Sequence, residues 1–494
     1  MTTPAIVALD CSTSACKAVV FDLAGETVCE SRCHLTTSSP RPGWYEQNAT
    51  DWWEAAADAL TSVAKLLPRN VQLVALGITH QRETFVCVDR RWRPIRPAIL
   101  WLDDRAEEQV ARLGGTDLHA ATGKPPSTVP SFYKLAWLAE HEPETLRGTH
   151  QVLDVHAALA HYLTGAAVTP WASADSTGLL DLSTRTWSLP LLAACGLTLE
   201  QMPRLCAPGD TVGGLRPDVA RRTGLPVGLP IVAGAGDGQC AGLGVGALEP
   251  GTAYLNLGTS FSLGAFVPGH PILPGLRTVV TGVPDTSAVE TLLPCGGMTL
   301  TWLWSNVLAS DDPAVSSAAV EVPAGANGLL FLPYLEGRET PGHEPDVRAA
   351  FLGMSVRHGQ PEMVRAVIEG LAYDQRDCLE HLNRQLGRDI ERIVVTGGHA
   401  HSALVSQIFA NVLGVPVAVA PERESTALGA AIIAAAGRSG SVREAARTMT
   451  RPAVALPVDI DAAKYYDAAH QLRTKVLAHF AAGTAALTAM RRMS

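Results

Sequence analysis

The hydrophobic and polar positions of two distant stretches follow one pattern. In AIVALDCSTSACKAVVFD, an apolar run ends at Asp10, a short turn of small hydroxylated residues follows, and a second apolar run ends at Asp22. TAYLNLGTSFSLGAFV repeats this order around Gly258, Thr259 and Ser260. Each stretch predicts a β-hairpin whose small tip residues bring backbone N–H groups close to a ligand. Their recurrence about 245 residues apart indicates a duplicated domain.

Between and after the hairpins, helix and strand patterns alternate. Apolar residues at helical spacing predict helices in DWWEAAADALTSVAKLL, with Asp51 as the N-cap, and in SFYKLAWLAEHEPETL, which should end near Pro143. VQLVALGI and RIVVTGG have the composition of buried strands, whereas PEMVRAVIEGLAYDQRDCLEHLNRQL and SALVSQIFANVLG have the helical period. This alternation predicts α/β layers with partly parallel sheets.

A glycine-rich run lies between the two halves of the chain and has the sequence IVAGAGDGQCAGLGVGALEPG. A chain of 494 residues is too long for one ordinary core. We therefore place a domain boundary near Ala247 to Gly251, with domains at residues 1–247 and 248–494. A hydrophobic fraction of 47% with 18% charged residues is typical of a well-packed globular enzyme.

The charge pattern and the first residues of the chain indicate which binding partners and which cellular location to expect. The net charge of −9 is dispersed, and the absence of a basic tract argues against nucleic acid or an anionic membrane as partner. The start, MTTPAIVALDCSTSA, has no basic segment typical of a secretory signal, and apolar runs such as LGAAIIAAAG fall short of the roughly 18 residues of a membrane span. We expect a cytoplasmic protein, with a homodimer as the default assembly of a soluble enzyme.

Asp10 ends a buried strand and is followed at once by Thr13, Ser14 and Lys17. A carboxylate, two hydroxyls and an ammonium group in this order offer a ligand for Mg²⁺, donors for phosphate oxygens and a compensating charge. The alternative interpretation is a turn aspartate that caps a hairpin, with Lys17 solvated. Both interpretations stay open from these residues alone. No Walker A loop accompanies them.

Asp237, in GAGDGQ, is the single acid of a run made otherwise of glycine and small or apolar residues. Glycines permit close backbone approach, so an acid in this run is placed to accept a proton from a substrate hydroxyl. The alternative is an aspartate satisfied by neighbouring N–H groups. The HAH segment at His399 to His401 lacks a third nearby metal ligand, and a loop of small residues is the better interpretation.

The segment THQRET places Arg82 beside Glu83 between two apolar runs. A buried charge without a partner costs several kcal/mol, about the cost of losing a buried ion-pair partner. Either the two side chains pair with each other, or they lie at a polar site. Neighbouring residues in a strand point to opposite faces, so both can reach one ligand only where the strand ends or bends. We favour the second interpretation, with a hydroxyl-rich substrate accepting from the guanidinium and donating to the carboxylate.

Together these segments resemble the FGGY carbohydrate kinases. The resemblance covers most of the chain and rests on ALDCSTSACKAVVFD, QRETFVCVDRRWRPIRPAILWLDDRA, KLAWLAEHEPE, GAGDGQCAGLGVG, LNLGTS, FLPYLEGRETP, AFLGMSVRHGQPEMVRAVIEG and VTGGHAHS followed by ESTALGAA. It implies an α/β fold of two ribonuclease-H-like domains, of the actin and sugar-kinase superfamily, around an ATP cleft. It also implies a kinase that transfers the γ-phosphoryl group of ATP to a terminal hydroxyl of a small sugar or polyol.

The resemblance also implies roles for individual residues. Mg²⁺ would be held near Asp10 and Asp237, and Asp237 would act as the general base. The residues implied to contact ATP are Thr13, Ser14, Lys17, Gly258, Thr259, Gly297, Gly398 and Ser402. The residues implied to bind the substrate are Gln81, Arg82, Glu83, Trp101 and Asp237.

The motifs that bear on the substrate disagree. Gln81-Arg82-Glu83 is similar to the glycerol kinases, whereas xylulose kinases usually have Gln-Met-His there; Val129 stands where glycerol kinases have a tyrosine. The stretches ADSTGLLDLSTRTWS and RPAILWLDDRA resemble the xylulose kinase branch. We predict a ketopentose such as xylulose as substrate, with glycerol, a tetritol or a sugar acid as alternatives. A non-catalytic sugar or nucleotide sensor and an actin-like ATPase switch are alternatives of another class.

Overall fold

The computed structural model describes residues 2–308 and 313–493. In the first half of the chain its strands are β1 (Thr3–Cys11), β2 (Ala15–Asp22), β3 (Thr27–His34), β4 (Glu46–Gln47), β5 (Val71–His80), β6 (Phe85–Val88), β7 (Ala98–Ile99), β8 (Gln151–Asp154), β9 (Val168–Pro170), β10 (Leu180–Asp181), β11 (Thr186–Trp187), β12 (Arg204–Cys206), β13 (Thr211–Gly214) and β14 (Pro230–Gly236). In the second half they are β15 (Thr252–Leu257), β16 (Phe261–Pro268), β17 (Arg277–Val280), β18 (Thr286–Glu290), β19 (Leu330–Leu332), β20 (Ala350–Leu352), β21 (Arg392–Thr396), β22 (Val417–Val419) and β23 (Val454–Ala455).

The helices alternate with these strands. Those of the first half are α1 (Ala49–Leu66), α2 (Glu107–Leu113), α3 (Thr116–Thr122), α4 (Ser131–His141), α5 (Pro143–Gly148), α6 (Val155–Thr164), α7 (Trp171–Ala174), α8 (Leu189–Ala194), α9 (Pro217–Thr223) and α10 (Asp237–Gly244). Those of the second half are α11 (Gly296–Trp302), α12 (Pro313–Glu321), α13 (Gln360–Leu386), α14 (Ala403–Leu413), α15 (Ser425–Ser439), α16 (Val442–Met449) and α17 (Ile460–Met493).

Two large sheets share one topology. The first has the strand order β13-β14-β5-β1-β2-β3, in which β1, β2 and β3 are antiparallel neighbours and β1, β5 and β14 run parallel. The second has the order β17-β18-β16-β15-β21-β22-β23, in which β15, β16 and β18 are antiparallel neighbours and β15, β21 and β22 run parallel. This repetition confirms the predicted α/β class and the predicted duplication.

Strand β1, in the interior of the first sheet, is buried on both faces, which explains its unbroken apolar sequence. Ile6 and Ala8 point into a central hydrophobic cluster that also contains residues of α15. Val7 and Leu9, on the opposite face, pack in a second cluster with Trp52 of α1 and with residues of α6. A third cluster covers the second sheet with α13 and α14. The core therefore has a layer on each outer side and one shared layer between the halves.

Two helix boundaries show how local chemistry defines the elements. The predicted N-cap Asp51 is wrong, because α1 begins at Ala49 and the side chain of Asn48 accepts a hydrogen bond from Thr50 N. Asp51 instead lies in the first turn, where a negative charge is favourable. The predicted break at Pro143 is confirmed: α4 ends at His141 and Pro143 begins the short helix α5. Among the described residues, no helix combines the length and the hydrophobicity needed to cross a membrane.

The two halves meet where α10 crosses α15. A Cβ atom on Gly429 of α15 would lie 2.0 Å from the carbonyl oxygen of Cys240 in α10, so only glycine permits this approach. On the same helix, the carbonyl of Ala430 approaches β5 closely, and a Cβ on Gly77 would lie 2.6 Å from it. Helix α15 lies in sequence between β22 and β23 of the second sheet but packs on the first sheet, and this contact holds the two sheets together.

We expect Gly429→Ala to lower the free energy of unfolding by about 1–3 kcal/mol or more, because two backbones would have to separate to admit a methyl group. The control is Gly437→Ala on the same helix, where a Cβ meets nothing within 4 Å. This control should raise the free energy of unfolding by about 1 kcal/mol through helix propensity. Urea denaturation followed by circular dichroism measures both. Equal effects of the two substitutions would contradict the proposed packing at Gly429.

Candidate active site

Asp10 lies one residue before the end of β1, beside the first hairpin tip. Its side chain is buried, and the Oδ1 atom has no hydrogen-bond partner among the described residues. Burial raises the pKa of Asp10 to about 7; the charge of Lys17 lowers it and that of Asp237 raises it. Two carboxylates that destabilise each other and leave an oxygen without a donor have the chemistry of a cation site.

Lys17 forms an ion pair with the second half of the chain. Its Nζ lies 2.6 Å from Glu424 Oε2, immediately before α15, and Arg32 Nη2 lies 3.4 Å from the other oxygen of Glu424. The alternative in which Lys17 is a solvated surface residue is therefore wrong. Its neighbours at the tip, Thr13 and Ser14, remain partly or fully exposed.

The second hairpin tip lies close to two other glycine segments. A Cβ on Gly297, in α11, would lie 2.0 Å from the carbonyl oxygen of Gly258, and Met298 N donates to the carbonyl of Thr259 over 3.1 Å. The side chain of His399 borders the same space, whereas a Cβ on Gly398 would meet nothing within 4 Å. Three residues implied to contact ATP, Gly258, Thr259 and Gly297, thus lie together. Gly397, the neighbour of Gly398, approaches the same tip, since a Cβ on it would lie 2.9 Å from Gly258 N.

Ser402 has a role in local structure. It precedes α14, its hydroxyl accepts from Val405 N over 3.5 Å, and its own N–H donates to the carbonyl of His399. His399 and His401 belong to a short 3-10 turn, Gly398–His401. In the described parts of the chain, no group of three or more His, Cys, Asp or Glu side chains is arranged to hold a metal.

Asp237 is the first residue of α10, directly after β14. Its side chain is 37% exposed, which leaves it reachable from solvent, and its Oδ1 lies 3.3 Å from Arg82 Nε and accepts from Gly238 N over 2.8 Å. Burial and the charge of Glu83 raise the pKa of Asp237, against a lowering by Arg82. An accessible carboxylate with a raised pKa is suited to accept a proton.

The chain bends after β5, as predicted for the segment THQRET. The strand ends at His80, and Glu83 has a positive φ of 57°. Arg82 and Glu83 do not pair with each other. Arg82 Nη1 donates to Glu290 Oε2 over 2.7 Å, while Glu83 forms an ion pair with Arg277. The polar site that these two residues face thus includes charges on β17 and β18 of the second sheet.

A hydrogen-bonded cluster joins the first hairpin tip to the substrate motif. Trp101 Nε1 donates to Thr13 Oγ1 over 2.9 Å, and Thr13 Oγ1 donates to Gln81 Oε1 over 3.1 Å. Gln47, on β4, completes the cluster: its Nε2 donates to the carbonyl of Thr13 and its Oε1 accepts from Gln81 Nε2. The structure therefore brings together residues predicted for ATP and residues predicted for substrate.

A cavity of about 520 Å³ opens beside Trp101, lined by residues of both halves. Its walls carry more acidic than basic side chains. The acids are Asp104, Glu107, Glu108, Glu336 and Glu339, and the guanidinium groups are those of Arg338 and Arg348. Burial raises the pKa of Asp104 to about 7, and the negative charge of the neighbouring carboxylates contributes to this increase.

Lys134 holds two loops at the edge of this cavity. Its ammonium group is buried and donates to the carbonyls of Thr128 over 2.9 Å, of Val129 over 2.6 Å and of Trp101 over 3.4 Å. Trp101 and Val129 thereby keep fixed positions in one small hydrophobic cluster. Lys134 is the lysine of the KLAW motif, whose helical period gave no sign of this role.

Four further residues contact the predicted site residues and are not predicted from the sequence. They are Glu290, Arg277, Glu424 and Gln47. Glu290 offered the same signal as Asp237, a single acid at the end of an apolar run, in SAVETLL. The other three lack a local signal, because the contact that gives each a role lies far away in the sequence.

Comparison with known proteins points to one family. A model of the N-terminal domain of the FGGY family of carbohydrate kinases matches residues 5–244, and the model of its C-terminal domain matches residues 253–438. A xylulose kinase from Escherichia coli (strain K12) is 32% identical over 416 residues, which cover 83% of this chain and 84% of the relative.

Two crystal structures have the same fold. A protein described as a xyloylose kinase from Brucella ovis has a TM-score of 0.87 at 27% identity, covering 96% of this chain and 99% of that chain. A gluconate kinase from Lactobacillus acidophilus has a TM-score of 0.89 at 24% identity, covering 98% of this chain and 100% of that chain. The second likeness concerns the fold alone.

We expect Lys134→Met to lower the free energy of unfolding by about 2–4 kcal/mol, because three buried carbonyls would lose a shared donor. A sharper sign of its role is a changed environment of Trp101, seen as a shift in tryptophan fluorescence relative to the unsubstituted protein. Lys65→Met, on the exposed end of α1, is the matched control and should change stability by less than about 0.5 kcal/mol. A Lys134→Met protein as stable as this control would contradict the inferred clamp.

Proposed function

The chain belongs to the FGGY family of carbohydrate kinases, and from this premise we propose that it transfers the γ-phosphoryl group of ATP to a terminal hydroxyl of a ketopentose such as xylulose. The observation that carries the proposal is the position of Asp237. This accessible carboxylate lies against Arg82 of the substrate motif and close enough to Asp10 to raise its pKa. One residue thus adjoins both the predicted substrate and the predicted metal.

In the proposed mechanism, Asp237 accepts the proton of the substrate hydroxyl as its oxygen attacks phosphorus. Arg82 orients the Asp237 carboxylate through the contact at 3.3 Å. Asp10 and Asp237 would hold Mg²⁺, which supplies charge stabilisation to the transferred phosphoryl group when bound. The buried, unpartnered Oδ1 of Asp10 fits this role, and two carboxylates suffice because Mg²⁺ completes its coordination with phosphate oxygens and water.

The nucleotide would bind between the hairpin tips. Backbone N–H groups near Thr13, Ser14, Gly258 and Thr259 would donate to phosphate oxygens, with Lys17 adding positive charge. Lys17 would exchange its present partner Glu424 for phosphate. The open space beside Gly398, bordered by Gly297, would take the flat part of the nucleotide, with Ser402 at its edge.

The sugar would bind beside the Thr13 cluster. Among the described residues, Arg82 Nη2 and Glu83 Oε2 take part in no hydrogen bond, so one donor and one acceptor remain for hydroxyl groups. Gln81 and Trp101 would contribute the polar and the flat side of the pocket. We further propose a division into domains at residues 1–247 and 248–494, a homodimeric assembly and a cytoplasmic location.

A second candidate function is the phosphorylation of glycerol or a tetritol. The observation that favours it is the Gln81-Arg82-Glu83 motif itself, which is similar to the glycerol kinases. Val129 weighs against it, because its apolar side chain in the Trp101 cluster cannot hydrogen bond to a small polyol. A non-catalytic sensor is disfavoured by a site that retains both Asp10 and Asp237. An actin-like ATPase switch is disfavoured by Asp237 and the polar Gln81-Arg82-Glu83 motif, because a switch needs no pocket for hydroxyl groups.

The substrate assignment is tested with ADP release measured over pentuloses, tetritols, glycerol and sugar acids. We expect the highest kcat/KM for a ketopentose, and ADP release that depends on Mg²⁺. Equal rates with and without any acceptor would contradict the kinase proposal in favour of an ATPase switch. A clear maximum for glycerol would favour the second candidate.

We expect Asp237→Asn to lower turnover by at least about a hundredfold, because asparagine cannot accept the hydroxyl proton. Binding of a non-hydrolysable ATP analogue, measured by calorimetry, should weaken much less than turnover falls. Asp58→Asn, on the exposed face of α1, serves as the control and should leave both quantities unchanged. Near-normal turnover of Asp237→Asn would exclude it as the base.

A further inference from the structure

The charges of the substrate motif are already paired within the protein. Arg82 Nη1 donates to Glu290 over 2.7 Å, and Arg277 donates to Glu83. The phenol of Tyr254 donates to the second oxygen of Glu290 over 2.6 Å. Arg82, Glu83, Arg277 and Glu290 have exposed fractions of 6%, 4%, 6% and 0%, so little water screens these contacts.

Each contact pairs a guanidinium group with a carboxylate, Arg82 with Glu290 and Arg277 with Glu83. Burial disfavours charge on Glu290, but Arg82 and Arg277 lower its pKa below the ordinary value. Asp237 also lies 3.3 Å from Arg82 Nε, so two guanidinium groups face three carboxylates and the cluster has no excess positive charge. A buried network of this kind is stable only while each charge keeps its partner.

The lack of excess positive charge matters for any substrate that carries a negative charge. Recognition of a carboxylate usually relies on a guanidinium that offers two parallel N–H groups. Arg82 already directs Nη1 to Glu290 and Nε to Asp237. The adjoining cavity adds five carboxylates against two guanidinium groups, and Arg338 is itself paired with Asp377 at 2.9 Å. Arg348, the other guanidinium group, donates to the carbonyl of Val347. An anionic substrate would therefore meet more negative than positive side chains on the described walls of this cavity.

We propose that Glu290 and Arg277 are positioning residues that determine specificity: by neutralising Arg82 and Glu83, they restrict the site to uncharged polyhydroxy substrates and exclude sugar acids. Hydroxyl groups both donate and accept, so they match the remaining donor of Arg82 and the remaining acceptor of Glu83. The inference rests on the proposed kinase function.

The first test compares acceptors in the unsubstituted protein. The kcat/KM for the best neutral ketopentose or polyol should exceed that for aldonic acids of five and six carbons by at least about a hundredfold. No ADP release with any acceptor would contradict the proposed function. Efficient ADP release with an aldonic acid would leave the kinase assignment intact and overturn the inference about Glu290 and Arg277.

The second test changes the charge by one unit in each direction. Glu290→Gln keeps the shape and the acceptor for Tyr254 and removes one negative charge, so the preference for neutral over acidic acceptors should fall at least about tenfold. Arg277→Gln removes one positive charge and should shift the preference the other way. The double variant restores the original net charge and should return the preference to within about threefold of the original.

Tyr254→Phe is the matched control, because it removes the hydrogen bond to Glu290 without changing charge. The ratio of its kcat/KM values for neutral and acidic acceptors should stay within about twofold of the ratio for the unsubstituted protein. Circular dichroism verifies the fold of each variant; if Arg277→Gln does not fold, the comparison of Glu290→Gln with Tyr254→Phe still decides. An equal change of preference in these two variants, or none in Glu290→Gln, would overturn the proposal.

Discussion

A guanidinium group buried at the end of a central strand constrains the structure around it. Arg82 follows β5, where the chain leaves the first sheet, and only 6% of it is exposed. Its charge is compensated by Asp237 from α10 and by Glu290 from β18. These partners come from the two halves of the chain. The requirement to pair one charge therefore brings the start of α10, the end of β5 and the end of β18 in the second sheet to one place.

The backbone permits this meeting because small residues line the contact between the halves. The approach of α10 to α15 at Gly429 places the carbonyl of Cys240 within the space that a side chain would fill. Since α10 begins with Asp237 and α15 follows Glu424, the same helix crossing positions the carboxylate beside Arg82 and the carboxylate beside Lys17. Packing in the shared core layer thus determines the electrostatics of the site.

The sequence was sufficient to predict elements and insufficient to predict partners. The hairpins around Asp10 and Gly258 followed from local periodicity and turn composition, which act over a few residues. The pairing of Arg82 with Glu290, 208 residues away, has no local signature, because only the folded arrangement of two sheets makes these residues neighbours. The same holds for Lys17 and Glu424, separated by 407 residues. Asn48 and Asp51 both have side chains that can cap a helix, so the sequence does not show which of the two begins α1.

Ionisation of the buried Asp10 carboxylate lowers the free energy of unfolding of the protein without bound ligand. A folded-state pKa of about 7, above the ordinary 3.8, means that the folded chain binds this proton more tightly than the unfolded chain. Stability is therefore lost as pH rises from about 4 to about 7, by on the order of 4 kcal/mol when Asp10 is fully ionised. Burial is the largest cause of this shift, and repulsion from Asp237 adds to it. A divalent cation between the two carboxylates would replace that repulsion by attraction, so its binding would recover part of the stability that ionisation of Asp10 removes.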